Sequence, residues 1–177
     1  MPIIEGGKII EGAMGPFLNA GAPVNGTNEV QTLTIGGTPT GGTFKLAFEG
    51  FPTVAITWSS TNATLLANIN AALDALPHVA AGEILAAAGT LTNGIGTITL
   101  TFSGEWGRRA VALISIADNS LTGTSPTLGV TETTPGVDAT ARGAAAGATL
   151  VDTTNKKEYI NTGTPLAPTW TVKGTQS

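Results

Sequence analysis

One histidine, twelve acids, eight bases and no cysteine make up the reactive stock of these 177 residues. His78 follows Pro77, and Asp74 lies four residues before it. An imidazole beside a carboxylate is the arrangement of a general base or of half a metal site, but neither role works without further partners. The pair therefore reads as a helix end with a capping or surface histidine. Gly104-Glu105-Trp106-Gly107-Arg108-Arg109 is the most polar loop. Its indole could stack on a ligand while the arginines grip an anion; the competing reading packs Trp106 beneath the loop or at a subunit contact. The segment 36–42, GGTPTGG, has the glycines of a phosphate loop without its Lys-Ser/Thr. Trp58, Trp106 and Trp170 are the stacking residues a carbohydrate-binding module would use. No residue is assigned a catalytic, cofactor-binding or metal-binding role, and an enzyme is not expected.

Composition narrows the partners. The chain carries a net charge of −4 and an isoelectric point near 4.8, and its basic residues adjoin only at Arg108-Arg109 and Lys156-Lys157. Nucleic-acid binding draws on clustered bases, so no nucleic-acid partner is expected. Hydrophobic residues make up 41%, much of it alanine, and no run reaches the ~20 apolar residues of a spanning helix. No membrane partner and no secretory signal are expected.

Glycine, proline and threonine divide the chain into short runs that read as strands and turns, giving a mainly β fold with a minor helical part. In EVQTLTI, Val30, Leu33 and Ile35 alternate imperfectly with polar neighbours, and in TFKLAFE, Phe44, Leu46 and Phe48 share one face. GGTPTGG between them predicts a hairpin, with 53–58 as a third strand. Residues 61–76 switch to helical spacing through Leu65, Leu66, Ile69, Leu73 and Leu76, with Thr61 or Thr64 as the cap and Pro77 as the stop. Further strands are expected at 83–88, at 96–102, at 108–117 as a central strand apolar on both faces, and at 127–134 as a threonine-rich edge.

The two ends differ from this body. Residues 1–28 carry apolar pairs, Ile3-Ile4, Ile9-Ile10 and Phe17-Leu18, separated by Gly and Pro, and read as an extended arm. After a β-rich core at 29–136 and a small-residue linker at 137–147, residues 148–177 contain three short strand candidates around Tyr159 and Trp170. Such segments call for a partner surface, so Ile3, Ile4, Ile9, Ile10, Phe17, Leu18, Trp106, Tyr159 and Trp170 are the candidate interface residues.

The run NEVQTLTIGGTPTGGTFKLAF, the helix ending ALDALP, and GTITLTFSG and NSLTGTSPTLGVTETTPG together resemble a β-rich domain of tailed-phage virion proteins. GATLVDTTNKKEYINTGTPLAPTWTVKGTQ resembles a C-terminal module of phage structural proteins, and PIIEGGKIIEGAMGPF is similar to N-terminal arms of actinobacteriophage head proteins. The resemblance implies a head decoration or cement protein on the outer capsid surface, made in the host cytoplasm. It further implies the major capsid protein and further copies of itself as partners, with trimers at local threefold positions. EILAAAG departs from the resemblance, which puts a Val/Thr-rich strand after the helix. A tail or fibre component, or a carbohydrate-binding module, is the alternative reading.

Overall fold

A computed structural model describes residues 16–174, together with the backbone of Ile4–Glu5 and Lys8–Ile9. In chain order the strands are β1 (Ile4–Glu5), β2 (Lys8–Ile9), β3 (Phe17–Asn19), β4 (Val30–Phe48), β5 (Phe51–Pro52) and β6 (Ile56–Thr57). Helix α1 (Asn62–Asp74) follows, then β7 (Ile84–Ala88), β8 (Gly96–Phe102), β9 (Ser115–Thr134), β10 (Thr149–Asp152), β11 (Lys157–Asn161) and β12 (Trp170–Val172). Among the described residues the fold is mainly β with a single α-helix. The chain divides into two compact units, Gly26–Ala139 and a second built from Met1–Asn25 with Thr140–Ser177.

In the larger unit, β4 is the central strand. β9 pairs with it antiparallel along nearly its whole length, while its other side pairs with β8 over 30–35 and with β6 and β5 over 43–48. The expected hairpin is therefore corrected: GGTPTGG does not reverse the chain. Both halves of β4 run on against one partner, and the glycines instead bend the two-stranded ribbon. The side-chain amide of Asn119 donates to the Pro126 carbonyl at 3.3 Å, although a straight strand would hold residues seven apart roughly 23 Å from each other. Register shifts fall at Gly36/Thr38 and Pro39/Gly41. Gly37 has φ +72°, and a Cβ there would lie 2.1 Å from the Ser125 carbonyl oxygen, so only glycine fits this corner.

The bend lets both halves of β4 face one core, in which Leu33 and Ile35 meet Phe44, Leu46 and Phe48. Leu65, Ile69, Ala72 and Leu73 of α1 are buried in it, each large side chain worth about 1.5–3 kcal/mol before entropy. Thr61 stands at the helix N-cap, but its hydroxyl makes no capping bond.

The expected central strand at 108–117 is also corrected, since regular pairing begins only at Ser115. Residues 111–114 are held instead by two buried side chains. Glu29 Oε2 accepts from the Val111 amide at 2.8 Å, Gln31 Oε1 accepts from the Ile114 amide at 2.8 Å, and Gln31 Nε2 donates to the Ala112 carbonyl at 3.0 Å and to Glu29 Oε1 at 2.6 Å. Buried backbone groups need partners, and here side chains supply them in place of a strand.

In the smaller unit the strand order is β12-β11-β10-β3. β3 runs parallel to β10, with Phe17 beside Leu150 and Leu18 beside Val151. The sequence separates an arm at 1–28 from a module at 148–177; the structure joins residues 17–19 to that module as its outermost strand. Nor is 137–147 a plain linker. Val137 bridges Thr27 in the larger unit, and Ala144 is buried in the core of the smaller one.

Candidate interaction surface

Strand alternation sorts the candidate residues of the smaller unit. Directly paired residues share a face, so Phe17, Leu150 and Tyr159 lie on one side of the sheet. That side is the inner one. Phe17 meets Trp170 edge to face at 6.3 Å, Trp170 is 5% exposed, and its indole Nε1 donates to the Thr140 carbonyl at 2.8 Å. Tyr159 packs against the same cluster. Phe17, Tyr159 and Trp170, expected to reach other chains, are engaged within their own.

Leu18 is the opposite case. Being adjacent to Phe17 in a strand it must point the other way, and it is 74% exposed. Beside it on the outer face lies its half-buried register partner Val151. On the next strand the exposed Glu158 stands directly opposite Val151, and the half-buried Ile160 is two positions along, opposite Thr149. Leu18 and Val151 therefore form an apolar pair bordered by a carboxylate. Of the remaining candidates, Ile4 and Ile9 are register partners in the β1–β2 pair, and Ile3 and Ile10 lie outside the described residues.

Trp106 is held from three sides. Its ring meets Phe48 edge to face at 4.7 Å, its Nε1 donates to the His78 carbonyl at 3.3 Å, and the Arg109 guanidinium lies 5.2 Å from the ring centroid. The loop reading that packs the indole inward describes this geometry. Trp58 likewise donates its Nε1–H to Gly94 O at 2.9 Å.

The acid–imidazole pairing does not form. Asp74 Oδ1 accepts from the Gly82 amide at 2.8 Å, while His78 stacks on Phe48 at 5.6 Å and meets Phe51 at 4.7 Å. Both its ring nitrogens are buried without a hydrogen-bond partner, which makes it a filler between aromatic rings. Among the described residues, no group of three or more His, Cys, Asp or Glu is placed to hold a metal ion. No helix there is long and apolar enough to cross a membrane.

Several polar side chains that position this surface carry no motif. Asp152, at the end of β10, is buried and accepts at 2.9 Å from both the Thr154 and Asn155 amides. Burial works to raise its pKa, but the bonds from the Asn155 side chain and from the backbone amides of Asn155, Thr154 and Gly21 outweigh it and hold the carboxyl below the usual aspartate value. Asn161 is buried too: it donates to Ala144 O at 2.8 Å and accepts from the amides of Gly163 and Thr169. A turn-forming Asp-Thr-Thr-Asn sequence is the only prior sign of the first, and none marks the second.

No protein-family model matches this chain, and no curated protein matches its sequence.

Proposed function

We propose that this protein is a virion structural component that binds the outside of a tailed-phage capsid and strengthens contacts between capsomers, without catalytic activity. Its partners are the major capsid protein and further copies of itself. The sequence resemblance supplies the context, and the single observation that carries the reading at the level of residues is Leu18. It is a large aliphatic side chain set in water on a sheet face, turned away from the core of its unit with the half-buried Val151 beside it. Covering such a side chain in a contact with another chain removes its apolar surface from water.

The mechanism is linkage. A protein that binds only the assembled lattice stabilises it by whatever free energy that binding releases. Burying one leucine contributes only about 1.5–3 kcal/mol, so a single contact holds weakly. Several copies tethered together gain by effective concentration, on the order of 10²–10⁴ over one contact. The pairs Ile3-Ile4 and Ile9-Ile10, ahead of β3 in the sequence, add anchors to the same end of the chain.

The test is co-sedimentation of the full chain with capsids that lack it. Leu18→Asp leaves the inner face of β3 untouched, so the variant is expected to fold and to stay in the supernatant. Retention of Leu18→Asp on particles at the parent's level refutes the proposal. Removing residues 1–20 would be a poorer probe, because it deletes β3 itself.

A further inference from the structure

The sheet of the larger unit treats its edges unequally. At β7 the outward groups of Ala86 are both satisfied by α1: the amide donates to Asn70 Oδ1 at 2.8 Å and the carbonyl accepts from Asn70 Nδ2 at 3.1 Å. At β6 the Thr57 carbonyl accepts from Asn68 Nδ2 at 2.8 Å. On β9 a comparable bond, from the Asn119 side-chain amide to the Pro126 carbonyl, lies at the ribbon's corner, and among the described residues no side-chain bond of this kind covers the backbone of Thr127–Glu132. Among the described residues, the backbone–backbone bonds of Ser115–Thr134 go only to β4, and the strand carries no lysine that would repel another strand. Proteins blunt or cover strand edges they do not use, so an edge left open beside two closed ones is a surface for pairing.

We propose that this edge pairs, antiparallel, with the same edge of a second copy, about a two-fold axis at Gly129. The usable stretch is Thr127–Glu132, which pairs with β4 without a register shift and lies clear of the ribbon's corner. Within it Leu128 and Val130 face the core, while Thr127, Gly129 and Thr131 face outward. Two sheets that join edge to edge must keep their faces continuous. An axis at Gly129 meets that condition: Leu128 of each copy lies opposite Val130 of the other, Thr127 opposite Thr131, and Gly129 opposite itself. Glu132 then meets Pro126, so no two acids oppose. The edge is self-complementary in pleat, apolar content and charge, as an isologous contact requires. Its short length buries less than the ~1,000 Å² of a stable pair, so the association is weak in free solution and strengthens where copies are already held side by side. It is separate from the threefold placement implied by the resemblance and does not depend on capsid binding.

The probe is the full chain itself. A Cβ at Gly129 meets nothing within 4 Å, and the chain has no cysteine, so Gly129→Lys and Gly129→Cys are both clean changes. Sedimentation velocity over a concentration series should show a monomer–dimer equilibrium. Gly129→Lys, with two ammonium groups facing across the axis, should weaken it by about tenfold or more while leaving the unfolding midpoint unchanged. Pyrene attached to the thiol of the Gly129→Cys variant should give excimer emission that rises with concentration, and pyrene on Ser120→Cys, beyond the corner, should not. A chain that stays monomeric throughout, a dimer indifferent to Gly129→Lys, or equal excimer emission from both positions overturns the proposal. Dimerisation with failed capsid binding would leave the edge intact and remove only the capsid reading.

Discussion

The side-chain amide of Asn70 takes the place of a neighbouring strand for Ala86, donating to its carbonyl and accepting from its amide. Asparagine in mid-helix costs propensity, and here that cost is offset by closing a sheet edge. Asn62 does the same for the turn after β7, bonding Leu91 O at 2.8 Å and the Gly94 amide at 2.9 Å. The helix is thus fixed to the sheet by directional bonds as well as by its leucines.

Asn70→Ala should leave two backbone groups at the edge without their partner. A loss of about 1–3 kcal/mol is expected for unsatisfied groups in a partly buried site. Denaturant unfolding measures the loss, and hydrogen exchange should speed at the Ala86 amide first. Exchange that is unchanged at Ala86 would mean that the amide is protected by something other than Asn70.

The ribbon corner predicts a contrast between glycines. Gly37→Val places a β-branched side chain at positive φ against the Ser125 carbonyl and should destabilise the larger unit by more than ~2 kcal/mol. Gly129→Ser, on the same ribbon but with open space and ordinary φ, should change stability by less than ~0.5 kcal/mol. Paired thermal melts would show the difference.

Periodicity made the local elements legible. Leu65, Ile69 and Leu73 announced the helix, and Ile98, Leu100 and Phe102 announced β8, because each pattern needs only near neighbours. GGTPTGG was different. Glycines suit a hairpin turn and a ribbon corner equally, and only pairing with Leu121–Thr127, far along the chain, decides between them. The alternation in 108–117 looked like a ladder for a related reason, since nothing local reveals that Glu29 and Gln31 reach across to satisfy its amides. Parallel pairing of β3 with β10 spans still more chain. Phe17-Leu18, however, held a readable signal: adjacent strand residues face opposite ways, so one of the two had to be left outside.

Asp152 gives the smaller unit a defined response to acid. Its carboxyl titrates lower in the folded chain than in the unfolded one, so its contribution is fully present above the unfolded aspartate value of about 3.9 and fades as pH falls through the lower folded value. Asp152→Asn cannot carry that charge. The amide signals of residues 149–161, followed by NMR, should broaden on acidification in the parent, while the variant should be weaker at neutral pH and show a flatter acid profile. Identical profiles would remove Asp152 as the source of the response.

The Glu29–Gln31 clamp makes the strongest demand on the core. Gln31 is fully buried and makes three of the four bonds in the clamp, so Gln31→Leu keeps volume but strands the buried Ile114 amide and removes a partner of the Ala112 carbonyl. An unsatisfied buried group costs roughly 1–3 kcal/mol, a sizeable share of the ~5–15 kcal/mol of a whole domain. Gln31→Glu tests geometry against charge: it keeps the acceptor for Ile114, loses the donor to Ala112, and sets a second carboxylate against Glu29. Both variants should unfold at lower denaturant than the parent. Adding Glu29→Gln to Gln31→Glu exchanges the amide and the acid and should recover part of the loss. A double variant no more stable than Gln31→Glu alone would show that the clamp depends on each residue's position and not on the complementarity of the pair.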